Sequence, residues 1–237
     1  MNNESGKHKI GYLTIDDAPS GDFRSKVDFM TGRGVGAVFF TIGEEITSKK
    51  EQDLVYCLQK GFHIGNHSWS HADLGKLSEA QVREEILKTD KLIDRIYKEA
   101  GIGRKVKLFR FPYLNKGGGN REFCQNLLKD AGYRYPEYKG ITGTPYLAEP
   151  EDVDISCTYD TMDWTLADGS HMFGVETFDD LMARMDEDVP AEGRTLNNMD
   201  TNDIIMMHDD VRIKEMFVPM IDKILGKGIV LKLPENM

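Results

Sequence analysis

KIGYLTIDDAP, residues 9–19, is the stretch on which the fold turns. It runs apolar or β-branched to Ile15, presents two adjacent carboxylates, Asp16 and Asp17, and breaks at Ala18-Pro19. A short apolar run stopped by a turn signal reads as a strand. The two acids at its end admit two readings. Asp and Pro are favoured in turns for local backbone reasons, so the pair can be surface punctuation. Alternatively they stand just past the C-terminal end of a parallel strand, where α/β folds gather their functional side chains.

Outward from that strand, five β-like runs alternate with helical stretches: GAVFFTI (36–42), FHIGN (62–66), KLFRFPY (107–113), DIIMMH (203–208) and GIVLKL (228–233). Such alternation implies parallel strands with crossover helices. The clearest helix follows Ser78, which forms a capping-box pair with Gln81. Its apolar stripe is Val82, Ile86, Ile93, Ile96 and Tyr97, and Gly101 stops it. Apolar spacing places others near 22–33, 48–60, 121–131, 177–188 and 211–226, while 139–157 reads as a long excursion with at most one strand. A barrel and a doubly wound sheet both satisfy this pattern.

The chain has 237 residues, a length that fits one large domain. Its net charge of -10 opposes nucleic acid and anionic membrane surfaces as partners and favours a neutral or cationic ligand. Cys57, Cys124 and Cys157 lie far apart with no C-x-x-C spacing, which suggests neither a disulfide framework nor a thiolate metal site. No apolar run approaches the roughly 20 residues of a membrane-spanning helix. MNNESGKHK is too polar for a signal peptide, so the expectation is a cytoplasmic protein, or a secreted one if a leader has been removed. Nothing in the sequence addresses oligomeric state.

Functional residue types follow several different strands. NHSWSH places His67 and His71 four apart, a spacing that in a helical turn puts both imidazoles on one face within reach of one metal; two nearby histidines are also common as plain polar surface. His63, inside the strand, reads as structural. RFPY puts Arg110 before a proline-fixed turn, where it could hold a carboxylate. MMHD brings His208 out of an apolar run, and YDTMDW clusters Asp160, Asp163 and Trp164. One Asp and two His make a three-ligand open site for a divalent ion such as zinc, with room for water and substrate.

In order, TIDDAP (14–19), HSWSH (67–71), RFPY (110–113), DTMDW (160–164) and MMH (206–208) resemble the five signatures of the polysaccharide deacetylases, carbohydrate esterase family 4 with its NodB-homology domain. The resemblance spans residues 10–233 and implies a distorted (β/α)7 TIM-like barrel, with 1–237 as a single catalytic domain. It further implies that Asp17, His67 and His71 bind a divalent metal, zinc first among zinc, cobalt, nickel, manganese and iron. Asp16 would be the general base, oriented by Arg110, and His208 the acid that protonates the leaving amine, tuned by Asp163. The Tyr113 backbone N–H would help hold the oxyanion, Trp164 would wall the sugar groove, and Met206 would line the acetyl pocket. Since adjacent strand residues point opposite ways, the turn at Ala18-Pro19 must redirect the chain for both acids to face one site.

Three positions depart from the signatures. Ile15 stands for Phe, Ala18 for Gly, and Met206 for Leu; none removes a ligand or proton carrier. NKGGGN (115–120) lacks the phosphate-loop pattern and reads as a flexible rim loop. His8 and His171 have no identifiable partners, and GSHM at 169–172 reads as native. The expected activity is removal of N-acetyl groups from an acetylated sugar. Alternatives are an allantoinase-like hydrolase of a small cyclic amide, an O-acetyl esterase on a xylan-type glycan, and a catalytically silent glycan-binding protein. A closed pocket under 139–157 would favour the small amide and an open trough the oligosaccharide.

Overall fold

A computed structural model describes residues 8–237 apart from 144, 146, 147 and 150, so most of the stretch MNNESGKHK lies outside the described residues. The strands are β1 (Ile10–Ala18), β2 (Ala37–Thr41), β3 (His63–Asn66), β4 (Tyr159–Asp160), β5 (Asp203–His208) and β6 (Val230–Leu231). The helices are α1 (Phe23–Arg33), α2 (Ser48–Gln59), α3 (Glu79–Glu99), α4 (Arg121–Asp130), the short α5 (Trp164–Ala167), α6 (Phe178–Arg184) and α7 (Lys214–Gly226). All strand pairings are parallel, in the order β3-β2-β1-β5-β4, with β6 beside the start of β1.

Alternation along the strands sorts side chains into two cores. Leu13, Ile15, Phe39, Ile64, Ile205 and Met207 face outward and are covered by helix residues such as Val27, Leu54, Ile93 and Ile221. Tyr12, Val38, Phe40, Leu108, Ile204 and Met206 face the other way and fill the interior. Burial on both faces explains why these strands read as nearly continuous apolar runs, and each fully buried aliphatic side chain contributes about 1.5–3 kcal/mol. Inside, Phe40 lies so close to Gly65 that a Cβ there would stand 2.6 Å from its ring.

Past β3 the ladder thins. Residues 107–113 are not a continuous strand: Asn66 N–H donates to Leu108 C=O at 2.8 Å and Arg110 N–H to Asn66 C=O at 3.1 Å, then a 3-10 turn begins at Pro112. Proline supplies no donor, so the run cannot extend its ladder through RFPY. Ile155 N–H next donates to Phe109 C=O at 2.8 Å, and Thr158 N–H reaches Ile204 C=O in β5 at 2.9 Å. The ring is a distorted (β/α) barrel with an incomplete ladder between 107–110 and 154–157. The segment 107–110 occupies a seventh strand position beside the six regular strands of the described residues.

The capping box at α3 is present, and all five expected stripe residues are buried. The expected helix at 177–188 ends at Arg184, and the one at 211–226 opens with a 3-10 turn at Val211–Ile213 before α7. In the excursion 139–157, of which 144, 146, 147 and 150 are not described, no regular strand forms; β4 begins just beyond it. NKGGGN is packed at Lys116 and Gly117 and exposed at Gly118 and Gly119. Lys116 is buried on Asp154 at 2.6 Å, and a Cβ on Gly117 would meet Cys124 Sγ at 2.9 Å.

Candidate active site

The interior-facing alternation of β1 and β5 carries Asp16 and His208 to one end of the barrel, where they are direct partners in the parallel register. Asp17 is the next residue, and in a regular strand it would point away. It does not, because the β1–β2 register shifts between Ile15 and Ala18 and Asp17 itself takes a left-handed conformation, φ 62°. Asp tolerates that region better than most residues. The redirection expected at Ala18-Pro19 therefore occurs one residue earlier. Asp209 fixes the exit: its backbone N–H donates to Asp16 C=O at 2.8 Å, and its carboxylate accepts from Ser20 N–H at 2.7 Å and from buried Lys26 at 2.5 Å.

His67 and His71 do not share a helical face. HSWSH is a loop with Ser68 at φ 67° and His71 at φ 57°, closed by His71 N–H donating to Ser68 Oγ at 3.1 Å and by Glu85, which accepts from the N–H groups of Trp69 and Ser70 at 2.9 and 2.8 Å. The loop still brings both rings to Asp17. Asp17 Oδ1 lies 3.5 Å from His67 Nε2 and 3.4 Å from His71 Nε2. His67 Nδ1 sits 2.9 Å from the Arg110 carbonyl, which can only accept, so that nitrogen carries the proton and Nε2 presents its lone pair.

This trio fits a metal. Asp17 Oδ1 is buried with no hydrogen-bond partner among the described residues, an arrangement that is costly unless a cation completes it. Three donors about 2.0–2.1 Å from a tetrahedral ion stand about 3.3–3.4 Å apart, close to the observed spacings. His71 is pushed down to about 4 by burial and then by the neighbouring His67, so it is neutral and able to donate a lone pair at neutral pH.

Arg110 is fully buried and every arm is engaged. Nη1 donates to Asp16 Oδ1 at 2.7 Å and to Thr14 Oγ1 at 2.8 Å; Nε and Nη2 donate to the carbonyls of Ile155 and Ser156 at 3.0 and 3.1 Å. Burial opposes ionisation of Asp16, but the Arg110 charge, then His67 and His208, outweigh it and hold this carboxyl below the usual carboxylate range. Its other oxygen, Oδ2, faces the trio 3.7 Å from His67 Nε2. Asp163 clamps His208 twice, accepting from the backbone N–H at 2.9 Å and from ring Nδ1 at 2.7 Å. Burial alone would lower His208; the Asp163 charge and hydrogen bond, with Asp17 and Asp16 behind them, raise it to about 10.

Asp16, Asp17, His67, His71, Trp164, Met206 and His208 all line one cavity of about 400 Å³, together with Tyr113, whose left-handed backbone (φ 59°) sends its ring outward against His71 at 4.7 Å. Arg110 and Asp163 stand behind it as supports. His63 is structural, its Nδ1 3.1 Å from Tyr97 Oη. Of the excursion 139–157, Cys157 alone lines the cavity among the described residues. Sequence reasoning grouped Asp160 with Asp163 and Trp164 without giving it a role, and left Asp209 and Phe173 out of the site. Asp160 accepts from Met162 N–H at 2.8 Å and from the Trp164 indole at 3.3 Å, and burial, opposed by the His208 charge, pushes it up to about 6. The adjacent acids Asp209 and Asp210 after MMH were the available signal for Asp209; Phe173 follows no motif spacing.

A family model described as polysaccharide deacetylase matches residues 3–136, more than half of the chain. A peptidoglycan-N-acetylglucosamine deacetylase of Bacillus cereus is 29% identical over 154 residues, covering 64% of this chain and 45% of that protein, so the chain spans less than half of that relative's length. Among solved structures, a polysaccharide deacetylase from Bacillus cereus superposes with a TM-score of 0.66 at 20% identity, over 96% of this chain and 93% of that one. A pseudoenzyme of carbohydrate esterase family 4 from Bacillus anthracis gives a TM-score of 0.63 at 20% identity, over 95% of this chain and 64% of that one. At those identities the superpositions speak for the fold.

Proposed function

The chain belongs to the polysaccharide deacetylase family, and from that membership and the site geometry we propose a metal-dependent hydrolase that removes N-acetyl groups from acetylated glycans, acting as one catalytic domain over 1–237. Asp17, His67 and His71 would hold the ion, zinc before other divalent metals. When bound, it supplies Lewis acidity and a lowered pKa for water at that point.

The chain's own residues supply the proton traffic. Asp16, kept ionised by Arg110, takes a proton from the attacking water through Oδ2, the oxygen that faces the trio. Removal of the acyl carbon from nitrogen requires a proton at the leaving amine. His208, held charged by Asp163 on Nδ1, gives that proton from its other ring nitrogen. The Tyr113 N–H serves the developing oxyanion, Met206 meets the acetyl methyl, and Trp164 borders the sugar. The observation that carries this reading is the pairing, on adjacent strands at one cavity, of buried Asp16 hydrogen-bonded by Arg110 with His208 hydrogen-bonded by Asp163. A binding protein has no use for a base and an acid so poised.

The test is acetate release from N-acetylglucosamine oligomers by zinc-loaded protein, beside Asp16→Asn and a chelated control. We expect release that chelation abolishes and that Asp16→Asn lowers by about 10²–10⁴-fold, with zinc still bound. Zinc-loaded protein that binds these oligomers and releases nothing rejects the deacetylase reading and leaves silent glycan binding.

A further inference from the structure

The cavity mouth carries an aromatic side chain that no signature motif accounts for. Phe173 lines the same cavity as Asp16 and His208 yet is 38% exposed. Its loop is bent to present it: Gly169, His171, Phe173 and Gly174 have φ of 74°, 50°, 58° and 75°. A left-handed conformation is unfavourable for a bulky side chain and persists where the surroundings impose it. Here they do, through His171 N–H donating to Thr165 C=O and Val175 N–H to Met172 C=O, both at 3.1 Å. The Phe173 ring meets Trp164 edge-on, 6.4 Å between centroids, and the indole is in turn fixed by its hydrogen bond to Asp160. Tyr113, from a separate loop, is a second ring on this mouth and is 66% exposed.

Two outward rings at one mouth leave apolar faces in water that a ligand would cover with gain. A pyranose fits this chemistry: its hydroxyls lie around the edge, while one face offers polarised C–H groups to the electron-rich face of an aromatic ring. A small cyclic amide seated over Asp16 would leave such a platform uncovered. We propose that Phe173 is a stacking platform for the sugar ring adjoining the one that is deacetylated, so that the substrate is a glycan of at least two residues and Phe173 sets the preference for longer chains.

This rests on the deacetylase reading, and the experiment separates the two. The ratio of kcat/KM for the tetramer of N-acetylglucosamine to that for the monomer is measured for zinc-loaded wild type, Phe173→Ala and Phe173→Trp. The expected result is a roughly tenfold lower ratio in Phe173→Ala, carried by the tetramer KM, and recovery in Phe173→Trp, which keeps a flat ring. An unchanged ratio in Phe173→Ala overturns the platform. Calorimetric binding of the tetramer to zinc-loaded Asp16→Asn protein reads the same contact without turnover. There, adding Phe173→Ala weakens binding about tenfold if the platform exists, and equal affinities overturn it even if no acetate is ever released.

Discussion

At the scale of single residues, the site works by setting two charges in opposite senses within one buried space. Arg110 keeps Asp16 anionic below the usual carboxylate range, and Asp163 keeps His208 cationic up to about 10. An aspartate is ionised at neutral pH in water too; what the site adds is that Asp16 stays so despite full burial, and that His208 keeps a proton it would largely lose in water, as the proposed base and acid require. The sign follows for stability as well. A histidine whose folded pKa stands above its ordinary 6.5 binds its proton more tightly when folded, so its contribution is complete below 6.5 and is lost as pH rises through about 10. Replacing Asp163 by Asn removes the charge and leaves the His208 ring with an amide partner. The alkaline limb of kcat/KM should then move down from near 10 toward 6.5, and urea unfolding should lose the alkaline decline over the same interval. An alkaline limb that stays in place in Asp163→Asn would show that other groups hold the His208 proton.

Among the elements, α3 holds the HSWSH loop through Glu85, but its N-terminal cap can be separated from the chemistry. Its Ser78–Gln81 capping box closes the N-terminus on the surface, while its buried stripe packs on the barrel. Ser78→Ala should cost about 1 kcal/mol, seen as a lower melting temperature with unchanged kcat, since no site residue touches the cap. A loss of zinc affinity in this variant would contradict that separation. This helix was legible because its signals are local: cap, stripe and stop lie within one stretch. The paired strands were legible for the same reason, as apolar runs ended by turn residues. The segment 107–113 misread as a continuous strand because Pro112 stops its ladder, leaving isolated bonds to Asn66 and Ile155, while the Arg110 side chain bonds the carbonyls of Ile155 and Ser156. In HSWSH the residue types were readable and the geometry was not. Left-handed Ser68 and His71, not a helical face, bring the rings together. Phe173 was invisible because exposure at a cavity mouth is a property of the folded surface, not of any spacing.

For the molecule as a whole, the proposed metal site ties the chemistry to the stability of the fold. Asp17 Oδ1 is buried between two imidazoles with no hydrogen-bond partner among the described residues, and the chain already carries a net charge of -10. If the trio holds a cation as proposed, removing it leaves a partly buried carboxylate uncompensated, and folding and metal uptake are then coupled. An ion that binds only the folded protein stabilises it by about 4 kcal/mol at a thousand times its dissociation constant. In a chain of this length each kcal/mol moves the melting temperature by about 2–4 °C, so zinc in that excess should raise it by roughly 8–16 °C over the chelated protein. Asp17→Asn separates this effect from general salt stabilisation. It removes the anionic donor and the buried charge together, so the chelated variant should melt at or above chelated wild type and gain little from zinc. The opposite pattern, a full zinc-dependent rise in Asp17→Asn, would place the ion elsewhere and detach the trio from the fold's stability. Calorimetric scans of both proteins with and without zinc decide it, and because they need no substrate they are independent of the proposed glycan activity.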